Sequence, residues 1–446
     1  MSGKKVLLIA HEFPPIGGVG AQRPYKFTQY LRLFGYEPVV LTQVARYSAT
    51  WDDSLLEAIA DIPIYRAMDP MNAIQHRLRA KPKAKIETAA TTTITVSPSR
   101  SNLRSRVFRF AKNTKDALMI PDETMLWIGQ AVKVGEEVIQ KEQIKAIYVT
   151  SPPASSLLVG ARLSERTGLP LILDFRDPFV RNLHRKQYGI RHRIFRYLEA
   201  YAIVRATRII TVTDSFRDDF QKRYPSVSDR FHVIPNGFDR ADVKLDPDII
   251  RDTSKMTLYY GGILYGKRSP KAFLQGLQAA IAEGAIARDD IAVHFAGVFD
   301  YPGKTDNLAL LDQLQLTDVV SVIGYVAHQE HVKWMSKADI LLLIGDQTEG
   351  AGAYVPAKIY EYLGIGRPIL ALVQTGEASH LIEICEAGVI APPDQAHAIK
   401  KALISMYEAW KRGDYAHFTQ SPLVRNYDRK EQARLLAGHF DDILHE

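Results

Sequence analysis

Along the chain, short runs of branched apolar residues alternate with longer stretches of amphipathic pattern. This alternation predicts strands joined by crossover helices, and therefore parallel sheets. In the first half the runs are Val6–Ala10, Pro38–Thr42, Ala146–Thr150, Leu171–Asp174, Arg208–Val212 and Phe231–Ile234. In the second half they are Met256–Tyr260, Ile291–Ala296, Val319–Ile323, Ile340–Ile344, Pro368–Leu372 and Gly388–Ala391. Their continuous apolar character suits strands covered by helices on both faces. The strand-then-glycine pattern starts afresh at Leu258-Tyr259-Tyr260-Gly261-Gly262, after a stretch from Phe238 to Lys255 with no long period. No short repeat is present, which favours two related α/β folds over a solenoid. The expected organisation is one domain over 1–240, a linker at 241–255, a second domain over 256–424 and a last helix within 425–446.

Length agrees with this division, since 446 residues exceed one ordinary core and suit two α/β domains. A content of 46% hydrophobic and 24% charged residues is that of a globular protein. The lone cysteine, Cys385, excludes a disulfide framework and points to a reducing compartment. Its expected place is the core, as a small hydrophobe. No stretch approaches the roughly 20 apolar residues of a membrane helix. Lys4-Lys5 and the apolar run after them resemble the start of a signal peptide, but the run stops at His11-Glu12 with no small-residue cleavage site. A first buried strand and a cytoplasmic protein are expected.

The net charge of +7 favours an anionic partner: nucleic acid, an acidic membrane or a phosphorylated substrate. With no zinc-type Cys/His spacing, ribonucleoprotein motif or helix-turn-helix signature, nucleic acid is the weakest of the three. From Arg77 to Lys115 the chain is basic throughout, with Glu87 the only acid. Its Thr/Ser-rich middle predicts a loop. The stretch is either a solvated insertion or a surface for anionic lipid headgroups, where each basic residue adds about 1 kcal/mol.

Three segments can carry chemistry. Gly17-Gly18-Val19-Gly20 lies between the first strand and a helix, where glycines let backbone approach a ligand and helix N–H groups meet an anion. By spacing it is not the dinucleotide fingerprint. Gly261-Gly262 through Lys267-Arg268-Ser269-Pro270 again joins strand to helix, and adjacent cations there suit a diphosphate. In the third segment, Pro356 stands near the start of a helix on which Lys358 and Glu361, three apart, share a face. A carboxylate at that place can accept two vicinal ribose hydroxyls while the lysine takes phosphate oxygens; the alternative is a plain surface ion pair. Asp174-Phe175-Arg176-Asp177-Pro178 ends another strand and either orients acceptor hydroxyls or forms a structural ion-pair knot. Ser151 ends the preceding strand, and His11 and Glu12 end the first. For His11 a packed-in polar role is an equal alternative.

Together FPPIGGVG, TSPPASS at 150–156, DFRDP at 174–178, IPNGFD at 234–239, GGILYGKRSP and PAKIYEYLGIGRPILAL at 356–372 resemble the retaining family 4 glycosyltransferases of GT-B fold. The resemblance runs along most of the chain. It implies two Rossmann-like domains facing across a cleft, with nucleotide sugar in the C-terminal domain, acceptor in the N-terminal one, and a C-terminal helix returning to the N-terminal domain. Gly17 and Gly18 match the family's glycine-rich loop, while Lys267 and Arg268 match its phosphate-binding cations. Glu361 matches the second Glu of the E-x7-E element. The first would fall at Ala353, which leaves that sugar contact to Glu349 or to backbone amides of 352–355. The resemblance thus implies a donor site of Gly17, Gly18, Gly262, Lys267, Arg268, Tyr354, Val355, Lys358 and Glu361. Lys267, Arg268 and Gly18 are placed at the chemistry, and His11, Ser151, Asp174, Arg176 and Asp177 on the acceptor side.

The implied reaction moves a sugar from a UDP- or GDP-type donor to a hydroxyl of a glycan or lipid-linked acceptor, with retention. No acidic pair is spaced as a convincing metal site, so neither a metal nor a cofactor beyond the co-substrate is expected. An epimerase of the same fold, or a non-catalytic scaffold at a membrane, are the rival readings.

Overall fold

The computed structural model describes residues 3–45, 50–70, 119–183, 188–243, 249, 251–264, 266–301, 305–414 and 421–445. The basic stretch 77–115 lies outside the described residues, as does part of the expected linker. The chain forms two compact units. One comprises Met1–Thr211, Phe220–His232 and Ala433–Glu446; the other comprises Val212–Asp219 and Val233–Gln432.

In the first unit seven strands, β1 Lys4–Ile9, β2 Tyr36–Gln43, β3 Ile64–Ala67, β4 Ala146–Ser151, β5 Leu171–Phe175, β6 Arg208–Thr211 and β7 Phe231–Val233, lie in the order β3-β2-β1-β4-β5-β6-β7. The second unit has six: β8 Met256–Ile263, β9 Ile291–Val298, β10 Val320–Gly324, β11 Ile340–Ile344, β12 Ile369–Leu372 and β13 Gly388–Ala391, ordered β10-β9-β8-β11-β12-β13. Its neighbouring strands are all parallel. Each sheet thus grows outward from its first strand, then restarts on the other side of it, which is the Rossmann order. Where the direction reverses, between β1 and β4 and between β8 and β11, a crevice opens at the strands' C-terminal ends, the place such sheets bind ligands.

Period two explains the continuous apolar runs. In β11, Ile340, Leu342 and Ile344 enter one core while Leu341 and Leu343 enter another on the opposite face. The same split sends Met256, Leu258 and Tyr260 to one side of β8 and Tyr259 to the other. Strand β3 escaped the sequence pattern. Of its four residues only Ala67 is buried, so an edge position demanded no apolar run.

The principal helices are α1 Val19–Tyr30, α2 Trp127–Glu142, α3 Ala154–Thr167, α4 Ile190–Arg205, α5 Asp214–Arg223, α6 Lys271–Ala282, α7 Asn307–Gln313, α8 His328–Lys337, α9 Lys358–Ile365, α10 Glu377–Ile384, α11 Ala396–Lys411 and α12 Arg429–His445. Helix α2 buries Trp127, Ile128, Ala131, Val132, Gly135, Val138 and Ile139, a one-face stripe at helical spacing. At the C-terminus of α9, Gly366 takes the left-handed φ of 72° and Pro368 follows, so the helix stops there. Within the first unit, α12 packs Phe440 against Tyr36 of β2, whose hydroxyl donates to Asp441 at 2.6 Å. Cys385 is buried beside Ile382 and Leu381, and burial pushes its thiol up to about 11. Among the described residues no helix is long and apolar enough to cross a membrane.

Candidate functional site

Strand β8 runs two glycines further than the apolar run suggests. Gly261 and Gly262 stay in register with Ala296 and Gly297 of β9, so both are strand rather than loop. They are glycine because two side chains need the space beside them. A Cβ on Gly261 would overlap the ring of His331, and one on Gly262 would overlap the ammonium of Lys358 and lie 2.7 Å from its Cε. Gly262 also has φ +151°, which a side chain tolerates poorly.

Lys358 begins α9, which follows the loop after β11, and so it reaches the switch point from the opposite side to β8. Its Nζ donates to the Gly261 carbonyl and lies 4.9 Å from the centre of the Tyr260 ring. Burial, reinforced by the charge of Arg268 and only partly offset by Glu361, pushes the ammonium down to about 8. A lysine held this way is a charge waiting for an anion.

One turn along α9, Glu361 stands 3.8 Å from Nε2 of His331 in α8. Burial raises its carboxyl, but His331, His328 and Lys358 outweigh burial and hold it below the ordinary range. His331 is fixed in turn through Nδ1, 2.7 Å from the hydroxyl of Tyr259, which stacks on Trp334. Lys358, Arg268, Glu361 and His331 therefore form one electrostatic group around the ends of β8 and α9. Arg268 is half-buried, whereas Lys267 is exposed. Of the two adjacent cations, it is Arg268 whose charge reaches Lys358.

Tyr354 and Val355 are half-buried on the approach to α9. Tyr354 meets Phe216 edge-on at 4.9 Å, within the same unit. The turn Ala351–Ala353 is packed closely enough that a Cβ on Gly352 would lie 2.5 Å from the Thr375 carbonyl. Glu349 is exposed.

In the first unit the sequence-derived residues divide differently. Gly18 has φ +91° and starts α1, and Gly17 is tied to Thr50 by its N–H at 2.7 Å and its carbonyl at 3.0 Å. Arg176 braces this loop. It donates to Gly20 at 2.6 Å, to Ser151 at 3.0 Å and to Pro152 at 3.0 Å, joining the first turn of α1 to the ends of β4 and β5. Asp177 is half-buried.

An acceptor contact for Asp174 is corrected by the geometry. Its carboxylate is wholly buried and takes a two-point bond from Arg23, 2.9 Å at each oxygen, plus Tyr148 at 2.5 Å and Thr150 at 2.9 Å. With four donors on two oxygens, it is the ion-pair knot of the two readings. His11 is likewise packed in, at 3.2 Å from Asp69 and edge-on to Trp127. Ser151 is buried, with its carbonyl taken by Arg176.

Sequence reasoning missed His331, Tyr259 and Tyr260 in the second unit and Arg23 in the first. A signal for the first was present: His328 and His331 are three apart at the start of a helical stretch, and therefore share a face. For Arg23 nothing in the sequence pairs it with Asp174, 151 positions away.

Known proteins decide the family. The model described as Glycosyltransferase Family 4 matches residues 92–242, and that described as Glycosyl transferases group 1 matches 255–409. The chain belongs to the family 4 glycosyltransferases. A curated relative, the alpha-D-kanosaminyltransferase of Streptomyces kanamyceticus, is 24% identical over 51% of this glycosyltransferase and 61% of its own length. The chain thus spans less than two thirds of that relative.

Two solved structures share its fold. A glycosyltransferase from Rickettsia africae superposes with TM-score 0.65 at 12% identity, covering 100% of this chain and 99% of the other. Anabaena HepE in complex with UDP gives 0.64 at 14%, covering 98% and 100%. The two-sheet architecture is that of the GT-B glycosyltransferases.

The seat of Lys358 yields a direct prediction. Gly262→Ala will evict the ammonium and weaken nucleotide binding as much as Lys358→Ala does. The double variant will be no weaker than either single one, because both remove the same interaction. Titration of all three with UDP checks this; a Gly262→Ala chain binding as tightly as wild type would refute it.

Proposed function

We propose that this glycosyltransferase takes a sugar from a UDP- or GDP-type donor and places it on a hydroxyl of a glycan or lipid-linked acceptor, with retention at the anomeric carbon. Cell-surface polysaccharide or glycolipid assembly, on the cytoplasmic face of a membrane, is the setting that fits the basic chain. The observation that carries the reading is the Lys358–Arg268–Glu361 group at the β8/β11 switch point. Breaking the glycosidic bond loads negative charge on the departing diphosphate. Lys358 and Arg268 stand fixed where that charge develops, so no reorganisation is needed at the moment of reaction. Lys267, more exposed, steers the donor. Glu361, kept ionised, accepts the ribose hydroxyls, and Tyr354 and Val355 lie on the approach to the same helix. In this metal-independent scheme the acceptor proton passes to the leaving phosphate. Within the first unit, Gly17 and Gly18 are the candidates for backbone contact with a sugar, and Asp177, beside the bracing Arg176, for contact with the acceptor. The complexes of Anabaena HepE with UDP and UDP-glucose lend support to the choice of donor.

The test is thermal unfolding with UDP, GDP, ADP and their sugars at several pH values. A nucleotide that binds only the folded chain raises its melting temperature. Because Lys358 loses its proton near 8 in the free protein, affinity for the true nucleotide will hold below that pH. It will then fall by up to roughly tenfold per pH unit above it, as each binding event must take up a proton. Lys358→Arg will flatten the profile. The reading fails if no nucleotide shifts the melt at pH 7.

A further inference from the structure

The first unit holds a concavity of about 610 Å³ that none of these roles uses. Its walls are the segment after β5, one flank of α4 and the end of α5. Arg181, Arg193, Arg196 and Arg223 line it together with Tyr197 and Tyr224, and among the described residues no carboxylate lines it. Glu199, on α4 beside these arginines, is already engaged. Glu199 is fully buried, and its Oε1 accepts from Arg223 and from Tyr224 at 2.9 Å while its Oε2 accepts from the backbone of Val180 at 2.9 Å. Among the described residues, Arg193 and Arg196 make no side-chain hydrogen bond or ion pair, and both are exposed. His192, also on the wall, buries Nδ1 without a hydrogen-bond partner among those residues.

Arg193 and Arg196, both without a carboxylate partner among the described residues, face one hollow together, and an anion there would remove their mutual repulsion. Planar guanidinium forks match phosphate oxygens two at a time, and the Tyr197 hydroxyl adds a neutral donor. We propose that this concavity binds a phosphate or diphosphate group, separately from the donor site in the other unit. The phosphate is carried either by a lipid headgroup or by a soluble ester; the chemistry is the same. Tyr188, Ile190 and Tyr197 at its rim are 73%, 77% and 70% exposed, an apolar fringe that a lipid surface would cover.

The experiment compares the full chain with an Arg193→Ala/Arg196→Ala variant in two arms. Calorimetric titration with inorganic pyrophosphate reads the soluble arm. Flotation with phosphatidylcholine vesicles, with and without phosphatidic acid, reads the lipid arm. Pyrophosphate held at the donor site is common to both proteins and cancels. Each arginine lost should weaken binding roughly tenfold. Weakening in the titration alone assigns a soluble ester, and loss of flotation on the acidic vesicles assigns a lipid headgroup. Emission from a Tyr197→Trp chain, which keeps every arginine, gives a second readout and should change on adding pyrophosphate. Equal titrations and equal flotation for both proteins, with unchanged emission, would overturn the proposal.

Discussion

Arg268→Ala will lower the rate of sugar transfer by roughly 10²–10³-fold, about 3–4 kcal/mol of transition-state stabilisation. Lys267→Ala, one residue away, will stay within a fewfold of wild type. The difference follows from placement. Arg268 is half-buried and close enough to depress Lys358, whereas Lys267 is exposed and its charge is screened by water. A charge helps a leaving group only where water is excluded and the group is already in position. Steady-state turnover at saturating donor measures the effect, and Lys358→Ala should match Arg268→Ala in size. Equal rates for wild type and Arg268→Ala, or a larger loss at Lys267, would show that the diphosphate is held elsewhere.

The second large effect concerns folding. Asp174→Ala will cost about 3–5 kcal/mol of stability, because it strands the buried Arg23 guanidinium without its counter-charge. The Tyr148 and Thr150 hydroxyls lose their acceptor at the same time. Urea unfolding gives the measurement, with the midpoint falling and the slope unchanged. An acceptor-contacting carboxylate would behave in the opposite way, raising KM for the acceptor while leaving the midpoint alone. A loss of under about 1 kcal/mol would remove the knot from the account.

Both predictions rest on residues that the sequence displayed plainly but could not assign. Arg176 shows the same gap. Between two aspartates in DFRDP it looks like an acceptor ligand, yet its three donors close on Gly20, Ser151 and Pro152 backbone carbonyls. It shapes the crevice by holding the start of α1 to the ends of β4 and β5.

Local pattern determined the twelve strands that were read from it, because the central ones are buried on both faces and such an apolar run is visible in one dimension. It determined the glycine turn at 17–18 and the Lys358–Glu361 spacing, because turn geometry and helix periodicity are local properties. What it left open are pairings across long separations. Ile64–Ala67 became a strand because β2 offered an edge, not because its residues demanded one. Tertiary packing alone decided that Asp174 meets Arg23, that Gly262 makes room for Lys358, and that Arg268 rather than Lys267 lies near it. The energy of a charge depends on how much water surrounds it and on what stands within a few ångströms, and neither is written in the neighbouring letters of a chain.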